Sequence, residues 1–485
     1  MLSRLVHRGP DDQGQVDFAG GWLGHTRLSI VDVTGGHQPL SSSEGDRWLV
    51  GNGEIYNHEQ VRGRLGDGGY ATRSDNEVAL RLLERRGPDA LGELEGMYAF
   101  LSATATGDSF VAARDPVGIK PLYWARRDEE VRFASEIAAF DAAWRPAVEA
   151  FPPGCHWTPE QGLRRFAKPV PADGLLGTGA EPGADDLQQT RETLIASVHR
   201  QMMGDVPVGV FLSGGLDSTL IAAIAARYYA ERGERLKTFA VGTADSPDLL
   251  AARQAAEYLG TEHHERLYTA QEALDVVAPV VRAIEHFDPS LVRSAVPNFL
   301  LAEMTARHVK VVLTGEGADE LFAGYRYFHE LSDPDELHDE LIRSVQGLHN
   351  LNLQRCDRVT MAHGLEARVP FLDRQVIALA LRLPAAWKVA GPDVPEKRLL
   401  RQAFTGWLPS ELLWREKSQF GDGSGAASVL TEALEASITA EELAAEADAV
   451  DPPLRTREEL AYYRIWSEHL RGVRPGPNLG RFATA

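Results

Sequence analysis

The sequence predicts a two-domain protein: an α+β domain made mainly of strands, followed by an α/β domain with a parallel sheet and a helical last part. Three observations support this prediction. The first 170 residues alternate short apolar runs with turn residues, and strands alternate with helices after about residue 187. A length of 485 residues with 44% hydrophobic content is enough for two hydrophobic cores.

The first domain is predicted to span residues 1–170 and to form two β-layers. Runs such as Trp48-Leu49-Val50 and Phe110-Val111-Ala112-Ala113 place β-branched and aromatic residues between turn signals. Residues 171–186 (PADGLLGTGAEPGADD) are rich in Gly, Pro and Ala and poor in large apolar residues, which predicts a linker. The second domain is then expected over residues 187–485.

The second domain is predicted to begin with a helix, because its apolar residues recur at helical spacing. Short apolar runs then predict strands at 208–212, 236–241 and 310–313, with a helix at 217–229 after the first. Ser246 followed by Pro247 predicts another helix start, since Ser caps helices and Pro fits the first helical position. This alternation favours a parallel sheet covered by helices, and the chain from about residue 336 is predicted to be mainly helical.

Bulk properties exclude several classes of protein. A formal net charge of −20 repels nucleic acid, so no nucleic-acid partner is expected. No apolar run is long enough to cross a bilayer, and the first residues lack the apolar core of a secretory signal. Cys155 and Cys356 have no ligand-like or redox-motif spacing, which suits a reducing compartment and predicts a cytoplasmic protein without zinc.

The clearest chemical signal is the loop Ser213-Gly214-Gly215-Leu216-Asp217-Ser218, which lies between a predicted strand and a predicted helix. The glycines allow a sharp turn and close approach to a ligand, and the helix N-terminus favours phosphate. Asp217 would repel bare phosphate, so its presence implies a Mg²⁺ ion between them. The loop lacks the lysine of common nucleotide-binding loops, and a grip on pyrophosphate suits attack at the α-phosphate of ATP.

An acidic cluster follows the predicted strand at 310–313. Because parallel strands end at one edge of a sheet, Glu316, Asp319 and Glu320 are expected to face the phosphate loop. Three carboxylates there have three possible uses: to hold Mg²⁺, to bind a substrate ammonium, or to move a proton. Helix capping is the competing interpretation and is by itself sufficient for Glu320.

A basic residue near the end of the chain is a further candidate. Lys417 lies in the segment 409–423 (PSELLWREKSQFGDG), and a lysine near the α-phosphate would neutralise charge that develops in the transition state. From the residues alone, a solvated basic surface is the favoured interpretation of a single lysine.

Taken together, these motifs resemble the glutamine-hydrolysing asparagine synthetases, which join a class II glutamine amidotransferase domain to an ATP-pyrophosphatase synthetase domain. The resemblance covers nearly the whole chain. Its motifs are HRGPDDQG (7–14), RLSIVD (27–32), NGEIYNH (52–58), SD (74–75), GMYAF (96–100), RDPVGIKPLY (114–123), ASE (134–136), FPPG (151–154), FLSGGLDS (211–218), FAVG (239–242), LTGEGADELFAGY (313–325), EARVPFLD (366–373) and EKRLLRQAF (396–404).

The resemblance implies a β-sandwich flanked by helices at the N-terminus and an adenylating site in the second domain. Glu316 would help to form a β-aspartyl-AMP intermediate, and Lys417 would stabilise the pentavalent α-phosphate. Asp217 and Asp319 would bind Mg²⁺. The residues implied for ATP and pyrophosphate are Leu212, Ser213, Gly214, Gly215, Asp217, Ser218, Val241, Thr314 and Gly315.

For the first domain, the resemblance implies a glutamine site whose ammonia travels through a tunnel to the adenylate. Its implied residues are Arg27, Leu28, Ser29, Ile30, Val31, Asn52, Gly53, Glu54 and Asp75. Simpler interpretations exist for several of them. Asn52-Gly53 is a hairpin-turn signal, Asp75 is suited to cap a helix at 76–85, and Arg27 is suited to a surface ion pair.

The family's glutaminase uses an N-terminal cysteine, and this sequence starts at a point inside the family pattern without one. Two explanations are open: a gene start placed too late, or a true loss with use of free ammonia or another amine. The presence of the glutamine-pocket residues favours the late start. Without that cysteine, the chain is not expected to hydrolyse glutamine by the family mechanism.

Three functions follow as hypotheses. The first is an ATP- and Mg²⁺-dependent ligase that makes asparagine from L-aspartate and either L-glutamine or ammonia. The second is a ligase of the β-lactam synthetase kind, in which another carboxylate is adenylated and an internal amine attacks. The third is a non-catalytic regulatory or binding protein, which the intact SGGLDS loop argues against. A homodimer is an expectation by family analogy alone.

Overall fold

The computed structural model describes residues 1–66, 68–170, 181–331, 333–389, 395–415 and 427–482. The strands are β1 Asp12–Phe18, β2 Gly21–Arg27, β3 Leu40–Ser41, β4 Arg47–Ile55, β5 Gly96–Thr104, β6 Phe110–Arg114, β7 Tyr123–Arg127, β8 Glu130–Ala134, β9 Val148–Ala150, β10 Cys155–Thr158, β11 Gly162–Arg165, β12 Val208–Phe211, β13 Lys237–Gly242, β14 Glu262–Leu267, β15 Val311–Leu313 and β16 Glu366–Arg368.

The helices complete the inventory of regular elements. They are α1 His58–Leu65, α2 Glu77–Arg86, α3 Ala184–Gln201, α4 Leu216–Ala230, α5 Pro247–Leu259, α6 Ala270–Asp275, α7 Val277–Ile284, α8 Pro289–Thr305, α9 Ala318–Phe322, α10 Pro334–Gly347, α11 Asn352–Met361, α12 Arg374–Arg382, α13 Arg398–Ala403, α14 Ser410–Leu413, α15 Ala427–Ser437, α16 Ala440–Glu446 and α17 Arg457–His469.

The N-terminal half is a β-sandwich with helices on one side, as predicted. One layer is a six-stranded sheet in the order β11-β10-β6-β5-β4-β3, and the other is the three-stranded sheet β8-β7-β9. Aromatic rings fill the space between the layers: Phe110 of β6 lies 5.5 Å from Phe133 of β8, and Trp124 of β7 lies 5.2 Å from Phe151, centroid to centroid. The stacked and edge-on contacts add to the burial of large apolar surfaces.

The opposite face of the six-stranded sheet is covered by α1 and α2. Val78 and Leu82 of α2 are fully buried against Leu49 of β4 and Tyr98 of β5. The helix is amphipathic, because its apolar residues recur along one stripe while its last turn ends in Arg85 and Arg86. This packing fixes the N-terminal end of α2 close to β4.

The C-terminal half is built on a five-stranded parallel sheet in the order β14-β13-β12-β15-β16. From β12 the chain proceeds through α4 to β13 and through α5 to β14, on one side of β12. Strands β15 and β16 then add on the other side. The direction of winding therefore reverses between β12 and β15, and in open parallel sheets ligands bind at the carboxyl ends of the strands at such a point.

The predicted boundaries agree with these elements to within two residues at most positions. Ser246 caps α5 through its side chain, which accepts a hydrogen bond from the backbone N–H of Leu249, as its position before Pro247 predicted. Of the predicted linker, residues 171–180 lie outside the described residues, and α3 already begins at Ala184, so residues 184–186 are helical. Among the described helices, none combines the length and the apolar content needed to cross a bilayer.

Candidate functional site

The phosphate loop predicted from the sequence lies at the carboxyl end of β12, where the winding of the sheet reverses. Leu212 continues the strand and donates its backbone N–H to the carbonyl of Phe239 in β13. Helix α4 then starts at Leu216. The N-terminus of α4 therefore lies at the edge of the sheet, where the partial positive charge of the helix end attracts anions.

Hydrogen bonds between two serines hold the loop in shape. The Oγ atoms of Ser213 and Ser218 lie 3.0 Å apart, and the backbone N–H of Ser213 donates to Ser218 Oγ at 3.2 Å. Gly214 has a φ of +72°, and a Cβ at this position would lie 2.6 Å from the backbone of Ala251 and Ala252 in α5. Only glycine fits here, because the loop and α5 approach too closely for a side chain.

The loop after β15, which carries the acidic cluster, contacts the start of α4. A Cβ at Gly315 would lie 2.8 Å from the Cβ of Asp217 and 3.2 Å from the backbone nitrogen of Ser218, so the two loops touch. Thr314 is buried and donates its backbone N–H to the carbonyl of Arg368 at 2.9 Å. The sequence-predicted residues at 212–218 and 314–319, together with Val241 at the end of β13, thus converge on one edge of the sheet.

The three carboxylates of the acidic cluster have three different partners. Glu316 contacts the guanidinium of Arg355 in α11, which also donates to Ser294 Oγ of α8 at 2.7 Å. Arg355 was not expected from the sequence, where it is one basic residue 39 positions from Glu316. The pair is largely shielded from water, so the geometry of Glu316 is set by a charge-assisted contact.

Glu320 lies in the first turn of α9, as the capping interpretation requires, but its side chain also has two polar partners outside that helix. Its Oε1 accepts hydrogen bonds from the hydroxyl of Tyr325 at 2.5 Å and from Nδ2 of Asn352 at 3.0 Å. The side chain is buried, and burial together with the charge of Asp319 raises the pKa of Glu320 to about 7. The N-cap of α9 is Gly317, which has no side chain to share in capping.

Asp319 and Asp217 meet at the ammonium of Lys397, the residue just before α13. The Lys397 Nζ lies 2.7 Å from Asp319 Oδ1 and also contacts Asp217 Oδ2. Burial lowers the pKa of Lys397, but the two carboxylates outweigh burial, and its pKa lies above the usual range. Lys397 is 180 residues from Asp217 and is not among the site residues predicted from the sequence.

Arg415 ties the segment that precedes Lys417 to the phosphate loop. It donates to the carbonyl of Gly214 at 3.0 Å and to Oδ1 of Asp248, at the start of α5, at 3.0 Å. Lys417 itself, predicted to stabilise the α-phosphate, lies outside the described residues.

A second site is a cavity of about 100 Å³ in the N-terminal half. Of the predicted glutamine-binding residues, the lining includes Arg27, Leu28, Ile30, Val31, Asn52, Gly53, Glu54 and Asp75. Ser29 is buried beside it and donates its backbone N–H to Asp11 Oδ2 at 2.7 Å. The structure thus brings eight of the nine residues together in one cavity, although they come from three separate segments.

Strand pairing and hydrogen bonds at this cavity rule out the simpler interpretations of Asn52-Gly53 and of Arg27. Asn52 and Gly53 form no turn, because β4 runs straight through them with Gly53 opposite Tyr98 of β5. Gly53 has a φ of +112°, and a Cβ there would lie 2.0 Å from the carbonyl oxygen of Met97, so close strand packing explains the glycine. Arg27 is buried and donates to the carbonyls of residues 31, 32 and 33 rather than to a surface carboxylate.

Asp75 pins α2 to β4 instead of capping the helix. Its Oδ2 accepts the backbone N–H of Ile55 at 2.7 Å, while Asn76 Nδ2 donates to the carbonyl of Gly53 at 2.9 Å. Burial raises the pKa of Asp75 to about 6. Burial and the nearby charge of Asp75 also raise the pKa of Glu54 well above its usual range.

Polar atoms in the cavity lack partners among the described residues. Nδ2 of Asn52 and Oε2 of Glu54 are buried without a hydrogen bond within this part of the chain. Unpaired buried polar atoms are costly, so a polar ligand would be stabilised here. Burial lowers the pKa of His25, a further lining residue that was not predicted from the sequence, to about 4.

The cavity is closed by residues of the C-terminal half, Met361 and Glu366. Ion pairs hold this boundary. Lys120 is fully buried, with its Nζ 3.1 Å from Glu366 Oε2 and 3.7 Å from Asp357 Oδ1. Arg8 lies 2.8 Å from the other oxygen of Asp357. Because buried charges are tolerated only when paired, these contacts fix the two halves against each other.

Helix α11 connects the boundary to the site at the phosphate loop. Arg355 on this helix contacts Glu316, and Asp357 and Arg358 face the N-terminal half. Arg358 is fully buried, 2.8 Å from Glu136 and 3.1 Å from Glu285. Glu285 in turn accepts the backbone N–H groups of residues 137 and 138 at 2.9 and 2.6 Å.

Comparison with known proteins identifies a family for each half of the chain. The chain matches the family described as Asparagine synthase over residues 189–333 and 329–471, and the Glutamine amidotransferase domain over residues 1–151. It is 40% identical to Asparagine synthetase B [glutamine-hydrolyzing] of Escherichia coli over 439 residues, which is 87% of this chain and 78% of that protein.

Two eukaryotic proteins are similar to the same degree. Asparagine synthetase [glutamine-hydrolyzing] 3 of Arabidopsis thaliana is 40% identical over 88% of this chain and 75% of its own length. Probable asparagine synthetase [glutamine-hydrolyzing] of Dictyostelium discoideum is 38% identical over 96% of this chain and 88% of its own length. The chain therefore belongs to the asparagine synthase family, with a glutamine amidotransferase domain at its N-terminus.

Proposed function

We propose that this protein adenylates the β-carboxylate of L-aspartate with ATP and then joins ammonia to it, giving asparagine, AMP and pyrophosphate. The observation that carries the proposal is the convergence of the Ser213–Ser218 loop and the Glu316–Asp319 loop where the sheet reverses its winding. One loop suits a leaving pyrophosphate and the other supplies carboxylates, beside the half-buried Arg355.

The proposed chemistry has two steps. An oxygen of the aspartate β-carboxylate attacks the α-phosphorus, and the bond to the β-phosphate breaks to release pyrophosphate. Ammonia then attacks the acyl carbon, loses a proton, and displaces AMP, which keeps the attacking oxygen. In this scheme Glu316 orients the aspartate, Lys417 neutralises charge at the α-phosphate, and Leu212, Val241, Thr314 and Gly315 hold the nucleotide.

A Mg²⁺ ion fits the same place. The carboxylates of Asp217 and Asp319 meet at one cation position beside the phosphate loop. Mg²⁺ is commonly bound by one or two carboxylates together with substrate phosphates and water, and it neutralises their charge when bound. No group of three or more His, Cys, Asp and Glu side chains suited to a metal occurs in the described part of the chain, so ATP would supply the remaining ligands.

The N-terminal cavity is the proposed binding site for L-glutamine. Glu54 and Asn52 offer unsatisfied acceptor and donor atoms for the ammonium and carboxylate groups of a free amino acid. The cavity reaches Met361 and Glu366 of the other half, which suits passage of ammonia towards the adenylate. Roles for the other lining residues between 27 and 31, and for Gly53 and Asp75, are proposed on the same ground.

The organisation of the chain follows from this function. We propose a glutamine amidotransferase domain over residues 1–170, a linker at 171–186, and a synthetase domain over residues 187–485. Cys155 and Cys356 are both free and buried, which suits a reducing compartment and supports a cytoplasmic location. A homodimer is proposed by family analogy only.

The decisive experiment follows an oxygen label. The whole chain is incubated with ATP, Mg²⁺, ammonium and L-aspartate labelled with ¹⁸O in the β-carboxylate, and the products are analysed by mass spectrometry. We expect pyrophosphate, and AMP carrying one ¹⁸O atom for each asparagine formed. Label that stays out of AMP would contradict adenylation.

Two variants make the experiment specific. Glu316→Gln is expected to lower pyrophosphate release about 100-fold. Glu303→Gln is the matched control, because the side chain of Glu303 is partly exposed and pairs only with Arg307 among the described residues. Turnover with a larger amino acid but not with aspartate would favour internal ring closure, and no pyrophosphate with any acid would exclude an enzyme of this type.

A further inference from the structure

The ammonium of Lys397 occupies the position that a metal ion would take between Asp217 and Asp319. It lies 2.7 Å from one carboxylate and in direct contact with the other. The side chain is about as buried as any in the core, at 1% exposure for the residue. A long, strongly hydrated cation is rarely placed so deeply unless the surrounding structure requires it there.

The surrounding backbone is adapted to this lysine. Lys397 itself has a φ of +59°, a left-handed conformation that is uncommon for residues other than glycine. Opposite it, a Cβ at Gly324 would lie 2.3 Å from Lys397 Cε and 1.9 Å from Asp319 Oδ1. Gly324 therefore leaves the room through which the lysine stem reaches Asp319, and Lys397 accepts a strained backbone to do so.

The charges at this point explain why a cation is needed. Two carboxylates alone would carry a charge of −2 in a buried place and would repel the phosphates of ATP. With Lys397 the local charge is −1. When a divalent cation arrives with the phosphates, it competes with the ammonium for the same oxygens, and the flexible stem of lysine allows the ammonium to move.

We propose that the ammonium of Lys397 takes the place of a metal ion and holds Asp217 and Asp319 together before the nucleotide binds. When pyrophosphate groups enter with their bound metal ion, the ammonium moves onto the phosphate oxygens. This inference rests on the proposed function, since it assumes that the site binds a metal with ATP. It assigns Lys397 two opposing effects: competition with a metal ion alone, and attraction for a metal ion bound to pyrophosphate.

The test uses Lys397→Gln in the whole chain and two titrations. Binding of Mn²⁺ alone is followed by electron paramagnetic resonance of the free ion, and binding of magnesium pyrophosphate by calorimetry. If the ammonium holds the site about nine-tenths of the time, its removal should tighten Mn²⁺ binding about tenfold. The same variant should weaken magnesium pyrophosphate binding by about tenfold, because a phosphate contact is lost.

A merely structural salt bridge predicts a different result. Loss of a structural ion pair would weaken the binding of both Mn²⁺ and magnesium pyrophosphate, or of neither, and either outcome would overturn the inference. Lys397→Arg keeps the positive charge, so its Mn²⁺ binding should stay closer to that of the unaltered chain than the Mn²⁺ binding of Lys397→Gln does. Lys310→Gln is the matched control: this lysine pairs with Asp11 at 2.7 Å near the surface, and its loss should change neither titration.

Two further outcomes are decisive. If Lys397→Gln does not fold, Lys397→Met replaces it, because methionine fills the same space as the lysine stem. If neither folds, Lys397 is structural and the inference is wrong. If the unaltered chain fails to bind magnesium pyrophosphate, the proposed function itself fails, whereas normal binding without the opposed effects would overturn only the role of Lys397.

Discussion

Arg355 on α11 contacts Glu316 directly, and this contact links the acidic loop of the synthetase half to the helix that borders the amidotransferase half. Arg355→Gln is expected to lower pyrophosphate release at least about 100-fold, because Glu316 loses the group that orients it. The variant should also lose about 3 kcal/mol of unfolding free energy, since a poorly hydrated carboxylate is left unpaired.

Arg307→Gln is the control for this prediction. Arg307 pairs with Glu303 at 2.8 Å, and both side chains are exposed, so the change should cost less than about 1 kcal/mol. Urea unfolding and the pyrophosphate assay measure the two effects. Equal behaviour of the two variants would show that the Arg355 contact has no special role.

Gly214→Ala tests the close approach of the phosphate loop to α5. A methyl group there would lie 2.6 Å from the backbone of α5, in a left-handed conformation. We expect a loss of about 3 kcal/mol in unfolding free energy and weaker binding of magnesium pyrophosphate.

Gly233→Ala provides the comparison for the phosphate loop. Gly233 has the same φ of +72°, but nothing lies within 4 Å of the position of its Cβ. Its substitution should therefore cost only the backbone strain of about 1 kcal/mol and leave pyrophosphate binding unchanged. If both glycines tolerate alanine equally, the steric argument for Gly214 is wrong.

Asp75 should make the stability of the protein depend on pH. Burial raises its folded-state pKa from 3.8 to about 6, so the folded protein holds a proton that the unfolded chain has released. Its contribution to stability is therefore lost as pH rises through the window from about 4 to about 6, by at most about 3 kcal/mol.

Asp75→Asn should remove this component, because an amide oxygen can still accept the N–H of Ile55 and does not ionise. The unfolding free energy, measured in urea at several pH values between 4.5 and 7, should fall less with rising pH in the variant. Asp17→Asn, at an exposed position of β1, should leave the pH dependence as it is. A steeper fall in Asp75→Asn would contradict the direction of the shift.

The boundary between the halves should be energetically coupled through Arg8 and Asp357, which lie 2.8 Å apart and are both buried. A double-mutant cycle with Arg8→Met and Asp357→Asn should give an interaction energy of about 1–3 kcal/mol in unfolding free energy. The exposed pair of Asp11 and Lys310 also joins the two halves, and its cycle should give less than about 1 kcal/mol. Similar interaction energies for both pairs would mean that burial does not strengthen the coupling.

The sequence was most informative where a pattern is local. The strand before Ser213, the helix after it and the cap at Ser246 all depend on neighbours within a few residues, and the structure confirms them. It was also reliable in placing two loops at one sheet edge, since parallel strands have few arrangements.

The partners of the acidic residues could not be predicted in the same way. Lys397 reaches Asp217 across 180 positions, and Arg355 reaches Glu316 across 39, so only the folded chain brings them together. The Asn52-Gly53 dipeptide shows the opposite problem. Its local signal favours a turn, but pairing of nine residues of β4 with β5 outweighs that preference.

Helix α11 also fixes a spacing that neither half can change alone. Its rise of about 1.5 Å per residue separates Arg355 from Arg358 by about 4.5 Å along the axis. One residue inserted between Arg355 and Asp357 would turn the following side chains by about 100° around that axis. Either Glu316 or the charges of the opposite half would then lose their partners. The sequences around the two sites can therefore change, but the number of residues between Arg355 and Arg358 must stay the same.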